Sequence, residues 1–214
     1  MSENLCFAVR ASDALSLFRG TNSPTSIFQT TANNGKSCRI SRFSNTGQYF
    51  AYCDGVKTVV IEIATAEEAI SVDLPRTQKI VFSTKDHIMI TYEPHVTYGP
   101  RVNGIEGRQR KPPPNMRIWT LPDGRLLAAV TAQNVNSGKM DWSDDESCAL
   151  RVIGSELMIG KSIFSEKYHS KLAVPKIDDF ALSRGSEPYH CAIHIRAFGG
   201  QPALTQIRKY NFLF

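Results

Sequence analysis

The chain predicts an all-β fold of the WD-type β-propeller class, an incomplete ring of about four blades plus a partial first blade. Three observations carry that prediction. One local pattern recurs four times: an aromatic residue, a Ser, a polar tight turn and a short apolar strand. It begins at Phe43-Ser44, Phe82-Ser83, Trp142-Ser143 and, more loosely, at Phe180 with Ser183. The aromatics stand 39, 60 and 38 residues apart, and the long middle interval holds a polar insertion. A repeat of about 40 residues built from strand and turn signals is the sequence signature of propeller blades. The run Ala66-Glu67-Glu68-Ala69-Ile70 could pass for a helical turn, but it is too short and lies between two strand signals.

The elements follow in order. Residues 5–18 supply two strands of the partial first blade. The first full unit runs from a strand at 40–43 through the turn Ser44-Asn45-Thr46-Gly47 into a second strand at 49–52. Cys53-Asp54-Gly55 then gives an Asp-Gly hairpin signal. The β-branched run 57–63 makes the third strand, and 69–74 alternates apolar and polar residues until Pro75 stops it. The second unit repeats this with strands at 79–82 and 87–92, an insertion over about 93–115, and strands at 116–121 and 125–131. Pro122-Asp123-Gly124 joins the last two, since Pro presets φ and Gly tolerates the left-handed region. Strands at 140–143, 148–153 and 156–159 form the third unit, and the weakly periodic stretch 161–171 receives no assignment. The fourth has strands at 176–183 and 189–196 and a last one from about 204 to 214. The whole chain, 1–214, reads as one partial propeller. It ends in apolar residues with no closing strand, so the expectation is the first part of a larger ring whose open edge favours self-association.

Composition narrows the function classes. With 42% hydrophobic residues the chain can bury a sizeable core, and no run approaches the roughly 20 apolar residues that span a bilayer. The opening MSENLCFAVRASD lacks the positive charge and apolar run of a signal peptide, so the expected location is cytoplasmic. Cys6, Cys38, Cys53, Cys148 and Cys191 are scattered and include no C-x-x-C pair, which reads as reduced, partly buried thiols. The net charge of +5 is concentrated: residues 99–125 hold six basic side chains against Glu106 and Asp123. The rest of the chain is near neutral, so it is a body carrying one basic loop.

That loop is the candidate binding site. Arg101, Arg108, Arg110 and Lys111 could neutralise RNA phosphates, with Pro112 to Pro114 as a stiff extended strut. The alternative is a solvated, variable surface loop. Its Gly-Ile-Glu-Gly run lacks the flanking helices that a KH loop needs. His190 and His194 stand four apart on a strand, about 13 Å from each other, too far to share a metal. Asp141, Asp144, Asp145 and Glu146 flank a tight turn and have no EF-hand spacing, so they read as turn residues with solvated charge. Walker A, G-x-S-x-G, H-E-x-x-H and G-x-G-x-x-G patterns do not occur. No catalytic residue, cofactor, metal or small-molecule substrate is expected. Phe43, Phe82, Trp142 and Phe180 fill equivalent space between repeats and read as core.

The fourth unit carries a more specific signal. Lys176-Ile177-Asp178-Asp179-Phe180-Ala181-Leu182-Ser183-Arg184-Gly185-Ser186-Glu187-Pro188-Tyr189 resembles a K-I-x-D-F-x-L-S-x-G-x-x-P-Y stretch of the eukaryotic initiation factor 2A family. There it follows a W-S-x-D-E-like turn, here Trp142-Ser143-Asp144-Asp145-Glu146. Gly35-Lys36-Ser37-Cys38, Phe43-Ser44 and the segment before Ile207-Arg208-Lys209-Tyr210 are similar in the same order. The resemblance implies a large propeller with a C-terminal extension. It further implies non-catalytic work in translation initiation: binding the small ribosomal subunit and helping deliver initiator methionyl-tRNA, with mRNA or other initiation factors as further partners. The insertion is longer and more basic than that pattern leads one to expect. The rival from another class is a generic propeller scaffold for protein–protein contacts.

Overall fold

Strands and turns make up the described part of the chain. In the computed structural model the described residues are 5–31, 35–96, 112–132, 139–153, 156–160, 169–174, 176–185 and 187–210, and no helix occurs among them. Five antiparallel meander sheets follow one another along the chain. The first contains β1 (Cys6–Arg10), β2 (Leu15–Arg19) and β3 (Thr25–Gln29). The second contains β4 (Ile40–Phe43), β5 (Tyr49–Cys53), β6 (Thr58–Glu62) and β7 (Glu67–Val72). The third contains β8 (Lys79–Phe82), β9 (Ile88–Tyr92), β10 (Met116–Thr120) and β11 (Leu126–Val130). The fourth contains β12 (Met140–Trp142), β13 (Ala149–Ile153), β14 (Glu156–Gly160) and β15 (His169–Ala173). The fifth contains β16 (Ile177–Leu182), β17 (Tyr189–Ile195) and β18 (Leu204–Tyr210). These are the blades that the repeat predicts. Two strands go beyond the sequence reading, β3 and β15. Both are last strands of their sheets, where alternation is weakest because one side lacks a neighbour.

Four apolar clusters show how the sheets are arranged, since each lies between two consecutive sheets. Leu15 and Leu17 of the first pack with Phe50, Tyr52, Val59 and Ile61 of the second. Tyr49, Ala51 and Val60 point to the opposite side of the second sheet and meet Ile80, Phe82, Met89 and Trp119 of the third. The third and fourth join through Ile90, Met116, Ile118, Met140 and Trp142, and the fourth and fifth through Leu150, Leu157, Ile159, Phe180, Leu182 and Ile193. Alternation with period 2 sends neighbouring residues to opposite interfaces. This is why β5 is buried along its whole length. A fully enclosed side chain such as Phe50 contributes about 2–3 kcal/mol.

The repeated Ser has a defined role in all four units. The Ser44 N–H donates to the Tyr49 carbonyl at 2.9 Å, and its Oγ accepts the Tyr49 N–H at 2.9 Å. Ser83 does the same with Ile88, Ser143 with Cys148 and Ser183 with His190. One side chain therefore completes the ladder across each turn. The fourth unit fits this register with Leu182, not Phe180, immediately before the Ser. Phe180 is buried two positions earlier on the same face. Its looser spacing in the sequence is thereby explained.

The turns also link neighbouring sheets. The third residue after the Ser has positive φ in three units: Gly47 (78°), Asp86 (62°) and Glu146 (60°). For a side chain larger than Gly this region costs about 1 kcal/mol. Asp86 offsets the strain by accepting the backbone N–H groups of Asn45 and Thr46, at 2.9 and 3.0 Å, together with the Thr46 hydroxyl. Asn45 reciprocates, donating to the carbonyls of Phe82 and Ser83. Glu146 reaches back in the same way to the Lys85 N–H and to His87 Nδ1 at 3.0 Å. Each carboxylate thus clasps the turn of the sheet before it.

Candidate nucleic-acid interface

Arg101, Arg108, Arg110 and Lys111, the four cations that the sequence nominates, lie outside the described residues. The anchor of their segment is described. Strands β9 and β10 pair directly, Tyr92 opposite Met116, so the intervening residues leave from one end of the third sheet. That end is opposite the Ser turns. Buried Asn115 clamps it, donating to the carbonyls of Glu93 and Ala132 at 2.9 and 3.0 Å and accepting the Ala132 N–H at 2.8 Å. The Arg117 guanidinium pairs with Glu93 at 2.7 Å beside it.

The same end of the fold holds cations that the sequence reading passed over. The first strands of consecutive sheets approach one another, β4 beside β8 and β12 beside β16, and form the inner wall. Lys79 opens β8 directly opposite Tyr92, at the anchor of the basic segment. Lys139 occupies the equivalent position before β12, four residues ahead of its turn Ser, as Lys79 is ahead of Ser83. Exposed Arg42 lies on β4, the inner strand beside β8, but two residues before Ser44 and so nearer the Ser-turn end. Burial first, then the positive charges of Arg42 and Lys139, push the Lys79 ammonium below its ordinary pKa. Neither Arg42 nor Lys79 has an ion-pair partner among the described residues. Lys139 differs, since it pairs with Asp179, donates to the Phe180 carbonyl at 2.6 Å and lies 4.7 Å over the Phe180 ring. One strand further into the fourth sheet, Arg151 stands opposite Met140. It is only 9% exposed, burial lowers its pKa, and its Nε has no hydrogen-bond partner. A Lys four residues before the turn Ser in two successive units was the available sequence signal. Its meaning depends on the inner strands converging.

The remaining candidates resolve into structural roles. Asp145 accepts the Ser143 hydroxyl, the Ser147 N–H and the Ser147 hydroxyl, which hold its carboxyl down at about 2. Asp141 accepts the Leu182 N–H at 2.8 Å and meets Arg184 at 3.5 Å. Asp141 and Glu146 are therefore not the solvated turn charges that the sequence suggests. Their side chains are 16% and 7% exposed and tie sheets together. His190 and His194 lie on β17, and His194 Nδ1 meets Thr205 Oγ1 at 3.0 Å. No group of His, Cys, Asp and Glu suited to a metal ion occurs among the described residues. All five cysteines are free, and burial pushes Cys148 and Cys191 up to about 12, which leaves them unreactive thiols. No helix among the described residues is long and apolar enough to cross a membrane.

Successive meander sheets, packed face to face and joined through equivalent Ser turns, define a chain of propeller blades. A solved structure of a eukaryotic initiation factor matches this arrangement with a TM-score of 0.77 at 24% identity, over 98% of this chain and 50% of that one. In sequence the chain is similar to eukaryotic translation initiation factor 2A of Caenorhabditis elegans, 38% identical over 100% of its own length and 37% of the relative's. The proteins of that name from Schizosaccharomyces pombe and Drosophila melanogaster are 26% and 25% identical, over 99% and 83% of this chain and 34% and 28% of theirs. No family model matches the chain. The chain is thus a homologue of eukaryotic translation initiation factor 2A, spanning about a third of the length of these relatives.

Proposed function

We propose that the chain acts in translation initiation by binding and not by catalysis. It engages the small ribosomal subunit in the cytoplasm and assists delivery of initiator methionyl-tRNA, in company with mRNA or other initiation factors. The observation that carries this reading is the 38% identity, sustained over the full chain, to a protein named as an initiation factor. The cations at one end of the third sheet give it a physical basis, because phosphate neutralisation supplies most sequence-independent RNA affinity.

The test is co-sedimentation of the chain with purified small ribosomal subunits, with and without initiator methionyl-tRNA, at rising potassium chloride. The reading expects co-sedimentation that falls steeply with salt and tRNA retention that depends on the chain. Salt-insensitive capture of a single protein, with no subunit binding, would replace it with the scaffold role.

A further inference from the structure

The interface between the third and fourth sheets encloses a charge that no described residue offsets. Arg151 alternates with Ala149 on β13 and stands opposite Met140, and both of those residues belong to the cluster shared with the third sheet. Its side chain is therefore turned into that interface. The equivalent positions in three other sheets, each opposite the residue three places before the turn Ser, hold neutral Tyr52, Thr91 and Ile193, all buried. Arg151 is nearly as enclosed, at 9% exposed. Yet its Nε has no hydrogen-bond partner, and no carboxylate pairs with it among the described residues. Glu93, at that end of the third sheet, follows Tyr92 and so lies on the opposite face, where it is committed to Arg117 at 2.7 Å. A guanidinium does not shed its proton, so burial cannot neutralise it, and an unmatched buried charge weakens a fold. A charge at a position that is neutral in its counterparts points to function and not to packing.

We propose that Arg151 is the base of an anion site between the third and fourth sheets, and that its ligand is a phosphate group. The site stands independently of the role in initiation. Arg presents a planar fork of donors that fits two phosphate oxygens at once. In the same row across the fourth sheet, beyond Met158, Lys171 is exposed and likewise has no carboxylate partner among the described residues. The two backbones are about 10 Å apart across two strand spacings, so Lys171 adds attraction at the rim. A site this enclosed admits a compact anion: free phosphate, or the terminal phosphate of an RNA strand, and not an internal stretch of its backbone.

The experiment follows thermal unfolding of the full chain in potassium phosphate and in potassium chloride, at equal ionic strength and neutral pH. The parent is expected to gain about 5–10 °C at phosphate about a hundredfold above its Kd. R151M, which fills the site with the residue type found on either side of it, is expected to show no phosphate-specific gain. In chloride it is expected to melt at or above the parent, because the uncompensated charge is gone. R151K keeps the charge without the fork and is expected to weaken phosphate binding by about threefold or more. No gain in the parent overturns the proposal, and so does an equal gain in R151M, which would place the phosphate elsewhere. If R151M does not fold, an unchanged phosphate Kd in R151K overturns it instead. The source of the phosphate is read with a short oligouridylate carrying either a 5′-phosphate or a 5′-hydroxyl. An Arg151-dependent gain with the phosphorylated form alone supports an RNA end as the ligand. Equal behaviour of the two forms, beside a gain with inorganic phosphate, supports the free ion.

Discussion

Replacing Asp86 by Ala removes the clasp between the second and third sheets without touching an apolar contact. The carboxylate accepts two backbone N–H groups and one hydroxyl from the preceding turn, and the residue is 2% exposed. A hydrogen bond to a charged group contributes about 1.5–3 kcal/mol, and desolvation of the carboxylate offsets part of three such bonds. The net loss expected for D86A is about 3 kcal/mol, which for a chain of this size lowers Tm by about 6–12 °C. The backbone adds a second, separable quantity. Asp86 has φ 62°, a conformation that Ala tolerates poorly and Gly readily. D86G loses the same three bonds but relieves the strain, so it is expected to be about 1 kcal/mol more stable than D86A. Urea unfolding followed by tryptophan fluorescence reads both differences. Trp119 and Trp142, the chain's two tryptophans, lie in the clusters on either side of the third sheet. A D86A variant within about 1 kcal/mol of the parent would refute the clasp. A D86G variant no more stable than D86A would refute the strain argument.

Four other outcomes follow from the same structure. Ser143→Ala strands the Cys148 N–H inside the fold and removes a 2.6 Å bond to Asp145, so a cost of about 2 kcal/mol is expected by urea titration. Ser183→Ala frees an N–H that the exposed His190 lets water reach, and is expected to cost under about 1 kcal/mol. Gly35→Ala places a Cβ 2.2 Å from the Ala11 carbonyl oxygen and 2.6 Å from the Ala14 nitrogen, both backbone atoms. The variant is expected to lose at least about 2 kcal/mol, read as a lowered thermal midpoint. Asp145 has a folded pKa of about 2 against the usual 3.8, so its contribution is present above pH 3.8 and is lost as pH falls through about 2. The stability gap between the parent and D145N is therefore expected to shrink between pH 5 and pH 2.5 in urea titrations, and a constant gap would contradict the hydrogen-bond origin of the shift.

The sequence by itself determined the repeat, the strand-and-turn character and most strand positions. Alternation and turn chemistry act over a few neighbouring residues, so they can be read locally. The turn Ser illustrates this well: the ladder bonds it completes reach Tyr49, Ile88 and Cys148, five residues on, and His190, seven on. The likeness of residues 176–189 to one family was also legible, and the comparisons bear it out over the full chain. Tertiary structure alone decided what the charged residues do. Asp86 and Glu146 look like solvated turn residues until the neighbouring sheet brings Asn45, Thr46 and Lys85 to them, across separations of 40 to 61 residues. Lys79 looks like an ordinary first residue of a strand until convergence of the inner strands sets it near Arg42 and Lys139. The physical reason is common to both. A backbone ladder closes within one sheet, whereas an electrostatic partner is chosen by which sheets pack together, and that depends on the geometry of the whole assembly.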